Sequence, residues 1–140
     1  MMGLDPEKIY YLAGPMTGKP QFNFPTFDKV ALFLRGTDHQ IISPAELDSP
    51  EERNAAYENV KGISEGEGNK SWGEYLSRDL RIIADDVQGI VFLPGWEESR
   101  GARLEAFLGL LCGHEFHLWI PRQGMTIPIS SIMVETLIHS

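Results

Sequence analysis

Apolar residues along the chain fall into short runs, each ended by proline or glycine. Lys8 to Ala13 (KIYYLA) reads as a buried strand stopped by Gly14-Pro15. Phe27, Val30, Ala31 and Leu34 then recur at helical spacing, with Asn23 as the expected cap, Pro25 in the first turn and Gly36 at the end. Gln40 to Ser43 predicts a second strand, closed by Pro44. Residues 46–70 are polar, acidic and glycine-rich without a clear period, and so predict a long loop, read as a mobile cover over a site. Helical spacing resumes from Ser71 to Ala84 through Trp72, Leu76, Leu80 and Ile83. Val87 to Leu93 predicts a third strand, cut by Pro94-Gly95, and Phe116 to Ile120 a fourth, ended by Pro121. Between them lies an apolar helix containing Glu105 and reaching about Leu111. The tail from Ile127 is apolar and fits either period.

Strands alternating with helices imply a parallel sheet covered on both faces, a doubly wound, flavodoxin-like α/β domain. Ligands of such sheets bind beyond the carboxyl ends of the strands. Those ends are the loops at 14–18, 44–46 and 94–101, so the glycine-bounded loop and the Glu105 segment are expected on one rim.

Composition narrows the partners. The 140 residues suit one domain, with 46–70 as an insertion. A net charge of −8 argues against a nucleic-acid polymer as partner. No apolar run approaches the ~20 residues of a membrane helix. Residues 1–10 hold two acids and no signal-peptide core, which predicts a cytoplasmic protein. The lone Cys112 excludes an internal disulfide.

The densest chemistry lies in Ser99-Arg100-Gly101-Ala102-Arg103-Leu104-Glu105-Ala106-Phe107-Leu108-Gly109. It sets Glu105 near a helix start, where terminal amides are expected to hold it ionised and nucleophilic. The same amides, with Ser99 and Arg100, suit an anion such as a phosphate. Plainer readings fit the same residues: a first-turn glutamate favoured by the helix dipole, and Ser99 as an N-cap. Asp79 reads equally as a solvated carboxylate between Arg78 and Arg81, and Tyr11 as a core aromatic like Tyr10. Trp96, in Pro94-Gly95-Trp96-Glu97, falls on the rim, where it would stack on a base; a core position fits it too. Ala13 to Pro20 lacks the first glycine and the Ser/Thr of a P-loop. Cys112, His114 and His117 lack a zinc spacing, so no metal is expected.

Three segments carry a family likeness. Tyr11-Leu12-Ala13-Gly14-Pro15-Met16, Arg78-Asp79-Leu80 and Ser99-x-Gly101-x-x-x-Glu105-x-x-x-Gly109 occur in order within residues 8–113. Together they resemble nucleoside 2-deoxyribosyltransferases and the related 2′-deoxynucleoside 5′-phosphate N-hydrolases, especially a small branch common in phages. The resemblance implies Glu105 as nucleophile at the sugar carbon, Asp79 assisting the departing base, and Tyr11 orienting Glu105. It implies substrate contacts from Gly14, Pro15, Met16, Trp96, Ser99, Arg100 and Gly101. Serine at position 99 matches the phosphate-handling hydrolases, whereas an acid is common there in transferases acting on free nucleosides. The Gly-Pro-Met-Thr-Gly loop departs from some hydrolases by lacking their arginine. A small nucleoside or nucleotide is the implied partner, with no cofactor; cleavage of a 2′-deoxynucleoside 5′-monophosphate is the expected activity, with base exchange or nucleotide binding without catalysis as the alternatives. Such relatives form homodimers or larger homo-oligomers that complete the pocket with a neighbour's residues. Apolar Phe107, Leu108, Leu110 and Leu111, and Ile129, Ile132, Met133, Leu137 and Ile138 of the tail, suit such an interface; they also suit a monomer core.

Overall fold

The computed structural model describes residues 3–62 and 71–140. Five strands form one sheet in the order β2-β1-β3-β4-β5. They are β1 (Ile9–Ala13), β2 (Gln40–Ile42), β3 (Gly89–Phe92), β4 (Glu115–Ile120) and β5 (Met125–Pro128). The first four run parallel; β5 pairs antiparallel with β4, with Trp119 opposite Thr126. The expected parallel sheet is thus present in its first four strands, and an antiparallel strand is added at this edge. Only Pro121 to Gly124 join β4 to β5, too short for a crossover helix, so the chain folds back as a hairpin.

Among the described residues, five α-helices complete the domain: α1 (Phe24–Gly36), α2 (Pro50–Glu58), α3 (Trp72–Asp85), α4 (Arg100–Cys112) and α5 (Ser131–Ile138). Central strands β1 and β3 are buried on both faces, which is why their sequences are continuously apolar. Alternation along β1 sends Tyr10 and Leu12 to a core with Phe27, Val30 and Leu34 of α1. Tyr11 and Ala13 face the opposite core with Ile83 of α3, Ala102 and Ala106 of α4, and Val134 of α5.

Two local expectations change. The 46–70 segment is not one loop, because α2 lies within it. Ser49 accepts a hydrogen bond from the Glu52 amide while the Glu52 side chain accepts from the Ser49 amide, with Pro50 at the first helical position. α2 is also anchored: Arg53 Nη2 donates to Asp28 Oδ2 of α1 at 2.7 Å, and Ala56 is buried. The loop expectation is therefore corrected over Pro50–Glu58, and residues 63–70 of that segment lie outside the described residues. Asn23 occupies the N-cap position of α1, as expected, but its side chain makes no capping hydrogen bond. It is left-handed, as are Gln21 and Phe22, and its Nδ2 donates to the Pro15 carbonyl at 3.0 Å. Asn23 thus ties α1 to the rim loop.

Candidate active site

Small residues bring α4 close to the sheet. Ala102, Glu105, Ala106 and Gly109 form its buried face. A Cβ at Gly109 would stand 2.9 Å from Ile90 Cδ1 and 3.0 Å from the Phe116 ring. A side chain at 109 would force Ile90 and Phe116 to shift, and Glu105 lies one turn nearer the N-terminus on the same face. The approach brings Glu105 to β1, where the Tyr11 hydroxyl donates to its Oε2 at 2.6 Å. Glu105 is 6% exposed and Tyr11 fully buried.

Asp79 of α3 is buried beside this pair, near enough for its charge to act on both groups. Its Oδ1 accepts from Arg78 Nε at 3.0 Å. The guanidinium extends to Asp48 Oδ1 at 2.7 Å and to the Pro44 carbonyl at 3.4 Å. Arg78 also lines a cavity of about 630 Å³ over the first turns of α3, with Ser71, Gly73, Glu74 and Ser77. Tyr11, Asp79 and Glu105, distant in sequence, thus meet at one point. Arg78 and Asp48 join the site without having been expected there. An arginine directly before the candidate acid is the available signal for Arg78; nothing in the spacing marks Asp48.

The electrostatics correct one expectation. Glu105 lies in the second turn of α4, beyond the free terminal amides, so the helix end does not hold it ionised. Burial pushes its carboxyl up to about 8, helped by the nearby Asp79 charge and opposed by the Tyr11 hydrogen bond and Arg78. Burial also raises Asp79, with Arg78 and Tyr11 pulling it back. The Tyr11 phenol is raised well above its ordinary value by burial and by both carboxyls.

The other expected site residues divide. Ser99 caps α4, its Oγ accepting from the Ala102 amide at 3.2 Å. Gly101 sits in the first turn with open space where a Cβ would stand. Arg100 is exposed, with its guanidinium over the Trp72 ring 4.4 Å from the centroid. Gly14 is packed so tightly that a Cβ would meet Leu93 Cβ at 2.8 Å, and Pro15 is buried beside the Gly95 turn. Met16 packs toward the α1 core, on the face opposite Tyr11. Trp96 is corrected: it is 2% exposed and stacks on Phe92 with centroids 3.9 Å apart, so it belongs to the core and offers no face to a base.

The fold and this cluster define a mostly parallel α/β-sheet protein with a buried tyrosine between two carboxyls. The chain belongs to the family described as Domain of unknown function (DUF4406), whose model matches residues 8–116. That span contains all of Tyr11, Asp48, Arg78, Asp79 and Glu105. No curated protein matches the chain. Among the described residues, no helix is long and apolar enough to cross a membrane, and no three His, Cys, Asp or Glu are grouped to hold a metal ion.

Proposed function

We propose that the protein cleaves the N-glycosidic bond of a 2′-deoxynucleoside 5′-monophosphate. The observation that carries this reading is the Glu105–Tyr11–Asp79 cluster: a nucleophile, a group that orients it, and a second acid, all in a water-poor centre. Cleavage passes through an oxocarbenium-like state. A carboxylate below the anomeric carbon stabilises that charge and captures the sugar as an ester, as retaining glycosidases do. Asp79 supports the departing base, and water then releases the sugar phosphate. The sequence resemblance to deoxyribosyltransferases and nucleotide N-hydrolases supports the same roles.

The 5′-phosphate is assigned to the start of α4. Along the helix axis Glu105 lies four to five residues, roughly 6–8 Å, beyond the Gly101 and Arg100 amides. That span suits a furanose with its anomeric carbon at Glu105 and its phosphate at the amides. Gly101 leaves the approach open, and Ser99 and Arg100 flank it. The exposed Leu104, Phe107 and Leu111 form a stripe along α4 where a second copy would dock, making a homo-oligomer part of the proposal.

Incubation with a panel of deoxynucleosides and their monophosphates, with free base measured by chromatography, tests the reading. Base release from monophosphates is expected, and Ser99→Ala should weaken it more than any release from free nucleosides. Preference for free nucleosides, with base exchange, would favour a transferase. No release from any member would overturn the glycosidic reading.

A further inference from the structure

Among the described residues, the cluster holds more acid than its cations balance. Asp48 and Asp79 divide one guanidinium, Arg78, between them, and buried Glu105 has its hydrogen bond from Tyr11 instead. The side chains of Asp48 and Asp79 are only 9% and 11% exposed, so solvent does little to relieve the excess. The titratable and charged groups acting on Glu105 are Tyr11 from β1 and Asp79 and Arg78 from α3. One proton on the carboxyl pair removes most of the repulsion, as for other close buried acids. Burial and the Asp79 charge direct that proton to Glu105, whereas Arg78 favours the anion at Asp79. A protonated Glu105, however, is no nucleophile.

We propose that Glu105, Tyr11 and Asp79 share one proton and that the Tyr11 hydroxyl carries it from Glu105 to Asp79, converting the resting pair into a nucleophile and an acid in a single step. This rests on the glycosidic reading for its use, though not for its existence. In the resting pair Glu105 donates to the Tyr11 oxygen and Tyr11 donates to ionised Asp79. On transfer, the Glu105 proton passes to the Tyr11 oxygen and the original Tyr11 proton passes to Asp79. Glu105 is left ionised, accepting from Tyr11 in the geometry observed at 2.6 Å. Asp79 then protonates the base as the carbon–nitrogen bond breaks, its electron pair leaving with the base, and Glu105 bonds to the anomeric carbon. In the second half, Asp79 takes a proton from water, the hydroxide oxygen bonds to the anomeric carbon, and the ester bond breaks with its electrons returning to Glu105. The reverse relay restores the resting pair. Tyr11 thereby becomes a proton carrier as well as an orienting group.

Infrared spectroscopy of the ligand-free chain in H₂O and D₂O tests this without any substrate. A protonated-carboxyl band is expected near neutral pH and should vanish in Glu105→Gln. Asp79→Asn should lower its titration midpoint by at least about one pH unit, because the neighbouring charge is gone. Tyr11→Phe should raise the midpoint, because ionised Glu105 loses its donor. Absence of the band in the unmodified protein, or a midpoint indifferent to either substitution, would overturn the shared proton. Base release from the substrate panel is scored separately: activity without the band would reject the relay and retain the glycosidase, and the band without activity would do the reverse.

Discussion

Adjacent tyrosines on β1 each meet a glutamate, on opposite faces of the sheet, and the two pairs behave in opposite ways. The Tyr10 hydroxyl donates to Glu115 Oε1 at 3.1 Å and accepts from the Asp5 amide at 3.0 Å. Glu115 also pairs with Lys8, and His117 Nε2 lies 3.2 Å from it. Its side chain is 38% exposed. Burial works against its charge, yet hydrogen bonds from Lys8, His117 and Tyr10 outweigh that and lower its titration. Among the described residues, the Tyr11 pair has no cation on the glutamate itself and a second acid beside it, and its carboxyl is pushed up to about 8. The same two residue types thus make a partly exposed clasp on one face and, on the other, the desolvated acid pair proposed as the reactive centre. What differs is desolvation and the sign of the third partner.

The largest expected effect comes from removing the charge at Glu105. Its folded-state titration, about 8, lies above the ordinary 4.5, so the native form is favoured while the group is protonated. That advantage is complete below about pH 4.5 and is lost as pH rises through about 8. At about 1.4 kcal/mol per unit, the loss has an upper bound of about 4–5 kcal/mol. Glu105→Gln should therefore gain stability over the unmodified protein progressively from pH 5 to pH 8, as measured by denaturant melts. Parallel curves for the two proteins would place Glu105 in a more solvated site than the geometry describes.

A smaller effect comes from pushing the two elements of the reactive pair apart. Gly109→Leu forces side-chain volume against Ile90 and Phe116, at a cost of about 1–3 kcal/mol. It should also lengthen the Tyr11–Glu105 hydrogen bond, so the Glu105 titration should change along with the melting temperature. Loss of stability with an unchanged titration would separate the helix approach from the chemistry.

The smallest is the Tyr10 clasp. Glu115 titrates below its ordinary value, so its contribution is present above about pH 4.5 and lost as pH falls. Its exposure limits the value of the pair. Glu115→Gln should lower the melting temperature at pH 7 by no more than about 3 °C, with the difference closing in acid. A larger loss would mean that the two faces differ less than proposed.

Much of this architecture is legible in the amino-acid sequence. Continuous apolar runs at β1 and β3 and helical spacing in α1, α3 and α4 mark the sheet and its layers. The Ser99-to-Gly109 spacing singles out Glu105. Other features are written in the chain less plainly. Ser49 with Glu52 and Ser71 with Glu74 are both capping boxes, and the first marks α2 inside a stretch whose acidity suggests a loop. The antiparallel β5 is hidden because its four residues carry too little period to distinguish strand from helix. Trp96 is misplaced by sequence reasoning because a rim position along the chain does not reveal which way a ring turns. The state of Glu105 escapes the sequence for a related reason: its distance from the helix start is readable, but its burial against Tyr11 and Asp79 is a property of three elements together.

The central claim is that Glu105 bonds covalently to the sugar. It is tested most directly by quenching the protein in acid during exposure to deoxynucleoside monophosphates and mapping any added mass. The account predicts a deoxyribose-phosphate adduct on the peptide containing Glu105, absent in Glu105→Gln, together with a loss of base release by several orders of magnitude in that variant. Base release by Glu105→Gln near the unmodified rate, with no adduct on that peptide in either protein, would contradict it.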